Sequence, residues 1–303
     1  MKIAAWLGNK DESELLPHSI AHLRSIGVDH IYAVDVMSTD DSREILAAEA
    51  GKGDLEMLDL DINTGDPEAE HRAAAEVMDR ARARGMDWLL FCDADEFPLP
   101  RTGRLQDMAE LSDPACDAIA MPRYNVVLGP GGPCMEFPLG PASYDRIIVH
   151  YAPPEGQRWR KMLQDDPDMP WIHVVPNPKL MIRLDRVTSV QAGHHALAGE
   201  RAGNKEDDGG RTLRARDLVV AHLPFSTLPR FATKIANIIE LHEETGTPWP
   251  PGQAWHWRMF QDNAAAGGIK AEFARNVTNQ QEMMRLQSAG GLRRVSDFFD
   301  DET

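Results

Sequence analysis

The sequence predicts an α/β fold, a mostly parallel central sheet flanked by helices with a C-terminal helical extension, and three observations predict it. Over the first hundred residues, short apolar runs alternate with segments of helical period, the pattern of strands joined by crossover helices. A run such as "WLLFC" (88–92) is apolar throughout rather than at every second position, as a strand buried on both faces is. That run passes directly into three carboxylates, Asp93, Asp95 and Glu96. In open parallel sheets ligands collect outside the carboxyl ends of the strands.

Taken in order, residues 3–7 form the first strand. Leu16, Ile20, Leu23 and Gly27 then share one helical face, with Pro17 tolerated because it falls in the first turn. Residues 30–36 are the second strand, 40–50 a short helix that Asp40 can cap, and 55–60 the third strand. A longer helix over 67–84 carries Ala73, Val77 and Ala81 on one side, and 88–92 is the fourth strand. Right-handed crossovers between parallel strands place Asp35 and Asp93 at the same sheet edge. Beyond Pro98 the alternation weakens. Strands are expected at 118–127 and 143–151, interrupted by the Gly/Pro-rich "LGPGGPCMEFPLGP" (128–141). Segments 155–171 and 198–211 are polar and turn-rich, suited to loops over a site. Helical patterns return at 228–244, 254–266 and 279–288. The expected organisation is one domain over 1–225, with 128–216 its less regular part, and a helical extension over 226–303 packed on it.

Among 303 residues, 48 are acidic and 32 basic, a formal net charge of −16. A basic stripe long enough to follow nucleic acid is not expected, nor is attraction to anionic lipid. The N-terminal apolar run is too short for a signal peptide or a membrane span, so no transmembrane segment and a cytoplasmic location are expected. Cys92, Cys116 and Cys134 form no CxxC pair and are read as bystander thiols.

The chemistry sits in the acidic run. On an extended segment Asp93 and Asp95 point the same way and Glu96 across. Two like charges so close need a counter-charge, and hard carboxylate oxygens suit Mg²⁺ or Mn²⁺, which keep positions open for substrate phosphates. A bland reading stands beside this one: the three acids cap a turn or lie solvated at a strand end.

Context favours the first reading. "NKDESELLPHSIAHLRSIGVDHIYAVDVMSTDDS" (9–42), "DWLLFCDADEF" (87–97) and "VVAHLPFSTLPRFATKIAN" (219–237) resemble the family 2 glycosyltransferases of GT-A fold, in the branch whose fourth strand ends in D-x-D-E-F. The resemblance covers about the first hundred residues and recurs around His222. It implies a nucleotide-sugar donor, with UDP the family's default, and a carbohydrate or glycoconjugate acceptor. It implies that Asp35 meets the base, that Asp93 and Asp95 hold the ribose and the metal-bound diphosphate, and that His222 completes the shell of a Mn²⁺ or Mg²⁺ ion. Lys10, Asp11 and Glu12 stand where relatives line the nucleotide pocket with Lys-Asn-Glu, and Lys234, in the third segment, is assigned to donor binding. Val36 and Met37 replace acidic or Asn residues of relatives, which leaves GDP open as the nucleotide.

If the sugar inverts, a carboxylate must take the acceptor's proton. Glu136, Asp145, Glu155, Asp165, Asp166 and Asp168 are candidates, with Asp165 or Asp166 favoured by the Arg- and Trp-rich loop around them. His194 and His195, as strand neighbours, would face opposite ways, one of them toward the acceptor. Trp249, Trp255, His256 and Trp257 could stack on a sugar or belong to the core. Read without the resemblance, His222 after "DLVVA" is a core histidine and Asp35 a turn residue. The rival functions are a GT-A-like module that binds without transfer and a Mg²⁺-dependent phosphatase. The phosphatases that use D-x-D usually place it at the first strand, followed by Thr or Val, whereas here Glu96-Phe97 follows a fourth strand.

Overall fold

The computed structural model describes residues 1–59, 67–151, 169–198, 211–245 and 255–300. The chain forms two compact units, Met1–Arg123 with Asn177–Val220 and Tyr124–Pro176 with Ala221–Thr303.

The first unit is built on a seven-stranded sheet. Its elements are β1 (Ile3–Asn9), α1 (Leu16–Ser25), β2 (His30–Asp35), α2 (Ser42–Ala50), β3 (Leu55–Asp59), α3 (Pro67–Ala83), β4 (Trp88–Asp93), β5 (Glu96–Pro100) and β6 (Ala118–Met121). Strands Lys179–Arg183 and Thr212–Arg214 complete the sheet, whose order is Thr212–Arg214, β6, Lys179–Arg183, β4, β1, β2, β3. β1 pairs in parallel with both β2 and β4, and β2 with β3. Lys179–Arg183 runs antiparallel between β4 and β6. The mostly parallel α/β sheet read from the sequence is therefore present, with one antiparallel strand set into it.

Side-chain alternation explains the continuous apolar runs. Ile3, Ala5, Leu7, Leu90 and Cys92 face Leu16, Ile20 and Leu23 of α1, whereas Ala4, Trp6, Leu89 and Phe91 face Ala73, Val77 and Ala81 of α3. Both faces are covered, so the strands end on rigid mounts. The chain steps from β1 to β2 and β3 on one side, then β4 lies on the other side of β1. The carboxyl ends of β1 and β4 thus flank the point where strand order reverses, the place where such sheets open a crevice.

Two expected strands are corrected. Residues 118–127 are not one strand: Pro122, which has no N–H to donate, separates β6 from β7 (Arg123–Asn125). Residues 143–151 begin instead as a 3₁₀ turn, Pro141–Arg146, entered at a proline, and only Ile148–His150 is extended.

In the second unit, Ile148–His150 pairs antiparallel with Leu292–Arg294. The helical extension is present as Leu228–Thr245, Trp255–Gly267, Ile269–Arg275 and Gln280–Ser288. Ile269–Arg275 was not expected; it starts after Gly268, whose φ of 83° ends the preceding helix. Phe225, Phe231 and Phe260 form the centre of this unit's core with Trp171 and Ile172. Among the described residues no helix is long and apolar enough to cross a membrane.

Candidate active site

β1, β2 and β4 bring the predicted residues of the first unit to one edge. Asn9 is in register with Asp35 of β2, and Gly8 with Asp93 of β4. Gly8 is needed there for space rather than for backbone freedom: a Cβ on it would stand 2.7 Å from Asp93 Oδ1.

After Asp93 the chain turns at Ala94 and Asp95 and resumes as β5. The turn is held from below by α1, where the Ser19 hydroxyl donates to the Ala94 carbonyl and His22 Nε2 lies 2.6 Å from the Pro98 carbonyl. Because the chain turns, strand alternation does not apply, and the expectation that Glu96 points away from Asp93 is corrected. Glu96 Oε2 accepts the Asp93 N–H at 2.9 Å, and both carboxylates face the Lys179 ammonium, at 2.8 Å from Asp93 and 3.7 Å from Glu96. The Arg123 guanidinium pairs with the other Glu96 oxygen. Asp95 is buried in the turn.

Lys179 and Arg123 are the site residues that sequence reasoning missed. Lys179 opens its strand and is 3% exposed, and no signal in "NPKLMIRL" marks it as the partner of a carboxylate 86 positions earlier. Burial works against its charge, but Asp93 and Glu96 outweigh it and raise its pKa. The same pairing acts in reverse on Asp93, which burial would raise and the Lys179 ammonium holds below the usual carboxylate range.

Behind this cluster His194 and His195 lie in a 3₁₀ turn and its end, not in a strand. His194 takes a left-handed φ of 57°, and its ring stacks on Phe91 at 4.3 Å. Burial pushes its pKa well below the ordinary value. His195 Nδ1 lies 2.7 Å from the Pro178 carbonyl, and burial together with the Lys179 and Arg123 cations pulls its imidazole down to about 3. Both rings are neutral at pH 7.

On the other side of β1, the loops after β1 and β2 are laced together. Asp35 is 0% exposed; its oxygens accept from Asn9 Nδ2 at 2.7 Å, the Ser38 hydroxyl and N–H, and Arg43 at 2.7 Å. These bonds tie the carboxylate into the loop. Asp11, at a left-handed φ of 51°, receives the Thr39 and Asp40 N–H groups, while its own N–H donates to Ser38. The Glu12 N–H donates to Ser42. Lys10 reaches across to the Val36 and Met37 carbonyls at 3.4 Å. Met37, 53% exposed and also at a φ of 51°, crowns this loop. Asn9 Oδ1 is buried without a hydrogen-bond partner among the described residues, an acceptor that a donor group would complete.

His222 and Lys234 belong to the second unit. His222 ends the strand Leu218–His222, and Lys234 lies half-buried on helix Leu228–Thr245. Asn125 fixes the His222 ring. Its Nδ2 donates to the Ile172 and Val174 carbonyls at 3.0 and 2.8 Å, so its oxygen must be the atom 2.7 Å from His222 Nδ1. Nδ1 therefore carries the proton, and in the neutral ring the lone pair is on Nε2. Asp165, Asp166 and Trp249 lie outside the described residues, as do the side chains of Trp255, His256 and Trp257. Among the described residues, no three His, Cys, Asp or Glu side chains are arranged to hold a metal ion. Asp93 keeps one oxygen, Oδ1, outside its contact with Lys179, and carboxylate oxygens are the donors that Mg²⁺ and Mn²⁺ take.

No family model matches the chain, and no curated protein matches it. Similar solved structures include residues 1–349 of TarS from S. aureus, 16% identical over 79% of this chain and 66% of that one, with a TM-score of 0.41. The same fragment in complex with UDP-GlcNAc is 20% identical over 42% of this chain and 35% of that one, at 0.34. Glucosyl-3-phosphoglycerate synthase from Mycobacterium tuberculosis, in complex with Mn²⁺, UDP and phosphoglyceric acid, is 15% identical over 62% of this chain and 58% of that one, at 0.32. The chain spans roughly a third to two-thirds of the length of these TarS chains.

Proposed function

We propose that this chain is a GT-A-type glycosyltransferase of family 2, moving a sugar from a nucleoside-diphosphate donor, with UDP the first choice, to a hydroxyl of a carbohydrate or glycoconjugate acceptor. The observation that carries the proposal is the reversal of strand order between β1 and β4, where Gly8 leaves room for a carboxylate-bearing turn. The sequence resemblance assigns that turn to a donor diphosphate.

In this reading Asp93, through the oxygen that Lys179 does not hold, and Asp95 bind a Mn²⁺ or Mg²⁺ ion. When bound, that ion supplies positive charge against the departing diphosphate. The laced loops at 9–13 and 35–42 form the nucleotide side, with Lys10 available to the donor and Asn9, Asp35 and Asp11 keeping the loops in shape. His222 as a metal ligand and Lys234 as a donor-binding cation are proposed from the resemblance, as is a carboxylate base, for which Asp165 or Asp166 is suggested.

Calorimetric titration of UDP and GDP, with Mn²⁺ and then with EDTA, tests the reading. Binding of one nucleotide only with metal present is expected. Binding of neither, combined with hydrolysis of simple phosphomonoesters, would replace the transferase with a phosphatase. Metal-dependent nucleotide binding with no donor turnover across a broad acceptor panel would leave a binding module.

A further inference from the structure

The carboxylates at the end of β4 already have counter-charges. Lys179 is buried to 3% exposure and bridges Asp93 Oδ2 and Glu96 Oε2. A lysine this buried is costly unless paired, so the bridge is a structural commitment of the fold rather than a surface contact. Glu96 is fully occupied by Arg123, Lys179 and the Asp93 N–H. Lys179 and Arg123 offset part of the negative charge of this turn and so weaken its hold on a bare divalent ion stripped of water. A nucleoside diphosphate brings further negative charge with it.

We propose that Lys179 is a positioning residue that serves as the resident counter-ion of this turn. It holds Asp93 by one oxygen and weakens the turn's affinity for a free divalent cation, so that cation and nucleoside diphosphate bind as a pair. The inference rests on the donor-site reading above, and it assigns to Lys179 an effect on metal binding opposite to that of a ligand or a merely structural residue. Removing a residue that braces a metal site normally weakens the metal. Removing this one takes away a competing positive charge.

The test is titration of Mn²⁺ alone, UDP alone and Mn²⁺ with UDP into wild type, Lys179→Met and Lys179→Arg, with circular dichroism and thermal unfolding as checks on the fold. Wild type should bind Mn²⁺ alone at least about tenfold more weakly than in the presence of UDP. Lys179→Met should bind Mn²⁺ alone on the order of tenfold more tightly than wild type, the scale set by one elementary charge near a divalent ion in a partly screened site. Lys179→Arg, which keeps the charge, should restore wild-type behaviour. A folded Lys179→Met whose affinity for Mn²⁺ alone is unchanged or reduced overturns the inference while leaving the donor site standing. Should that variant not fold, wild type decides: equal Mn²⁺ affinity with and without UDP overturns the inference. If wild type binds no UDP even with Mn²⁺, the donor-site reading fails and the inference falls with it.

Discussion

Replacing Gly8 by alanine sets two effects of opposite sign against each other. Gly8 lies in β1 outside the left-handed region, so alanine is compatible with its backbone, and by itself the change would stabilise the fold by about 0.4–1 kcal/mol through the unfolded chain. The new Cβ, however, would stand 2.7 Å from Asp93 Oδ1 and 3.3 Å from Trp6 Nε1. Asp93 has two rotatable bonds, and its other oxygen is tied to Lys179 at 2.8 Å, so relieving the clash swings the carboxylate off the ammonium. A hydrogen bond between charged groups contributes about 1.5–3 kcal/mol, and the displaced bond leaves Lys179 with Glu96 at 3.7 Å as its remaining carboxylate. The second effect wins, and the expected outcome is a net loss of about 1–2 kcal/mol. Thermal unfolding should show a midpoint lowered by a few degrees, and calorimetry a fall of about tenfold or more in metal-dependent UDP affinity. A Gly8→Ala protein with a raised midpoint and undiminished affinity would refute the placement of Asp93 against Gly8 and, with it, a donor site at the carboxyl ends of β1 and β4.

Three further outcomes are expected. Asp95→Ala should abolish transfer and metal-dependent nucleotide binding with the far-ultraviolet spectrum unchanged; full turnover would remove Asp95 from the metal shell. Asn125→Leu should cost about 3 kcal/mol, because it strands the Ile172 and Val174 carbonyls and the His222 N–H, and the nitrogen chemical shifts of His222 should no longer report a single Nδ1–H tautomer. A variant that keeps that tautomer would show that the ring is held by something other than Asn125. The buried His22 imidazole is pulled down to about 4 by desolvation, against the opposing pull of the Pro98 carbonyl. Its folded-state pKa lies below its unfolded value, so its contribution to stability is complete above pH 6.5 and is lost as pH falls from 6.5 toward 4, by at most about 1.4 kcal/mol per pH unit. Chemical unfolding across that window should be less steeply pH-dependent in His22→Gln, and equal slopes would mean that His22 titrates normally.

What the sequence made legible is what neighbouring residues decide. The apolar runs at β1, β2 and β4 identify strands buried on both faces, and the parallel rule then carries Asp35 and Asp93 to one edge without knowledge of any contact. The pattern fails where one residue redirects the chain. Pro122 divides an apparently continuous strand, and the turn at Ala94 and Asp95 brings Glu96 back beside Asp93. It fails again where partners are distant: Lys179 reaches Asp93 across 86 positions and Asn125 reaches His222 across 97. These two failures share a consequence. Seen alone, "DADEF" is an unbalanced cluster, and a metal ion is the simplest way to balance it. Within the fold, Lys179 and Arg123 have already done part of that balancing, so an excess of local acid is no longer the whole argument for a metal. The argument becomes geometric: a rigid strand end, a glycine that leaves room for the Asp93 carboxylate, and a buried ammonium that holds that carboxylate by one oxygen. A binding site inferred from charge alone would predict that the bare turn takes up a divalent ion, whereas a site inferred from this geometry predicts that the ion waits for its anion.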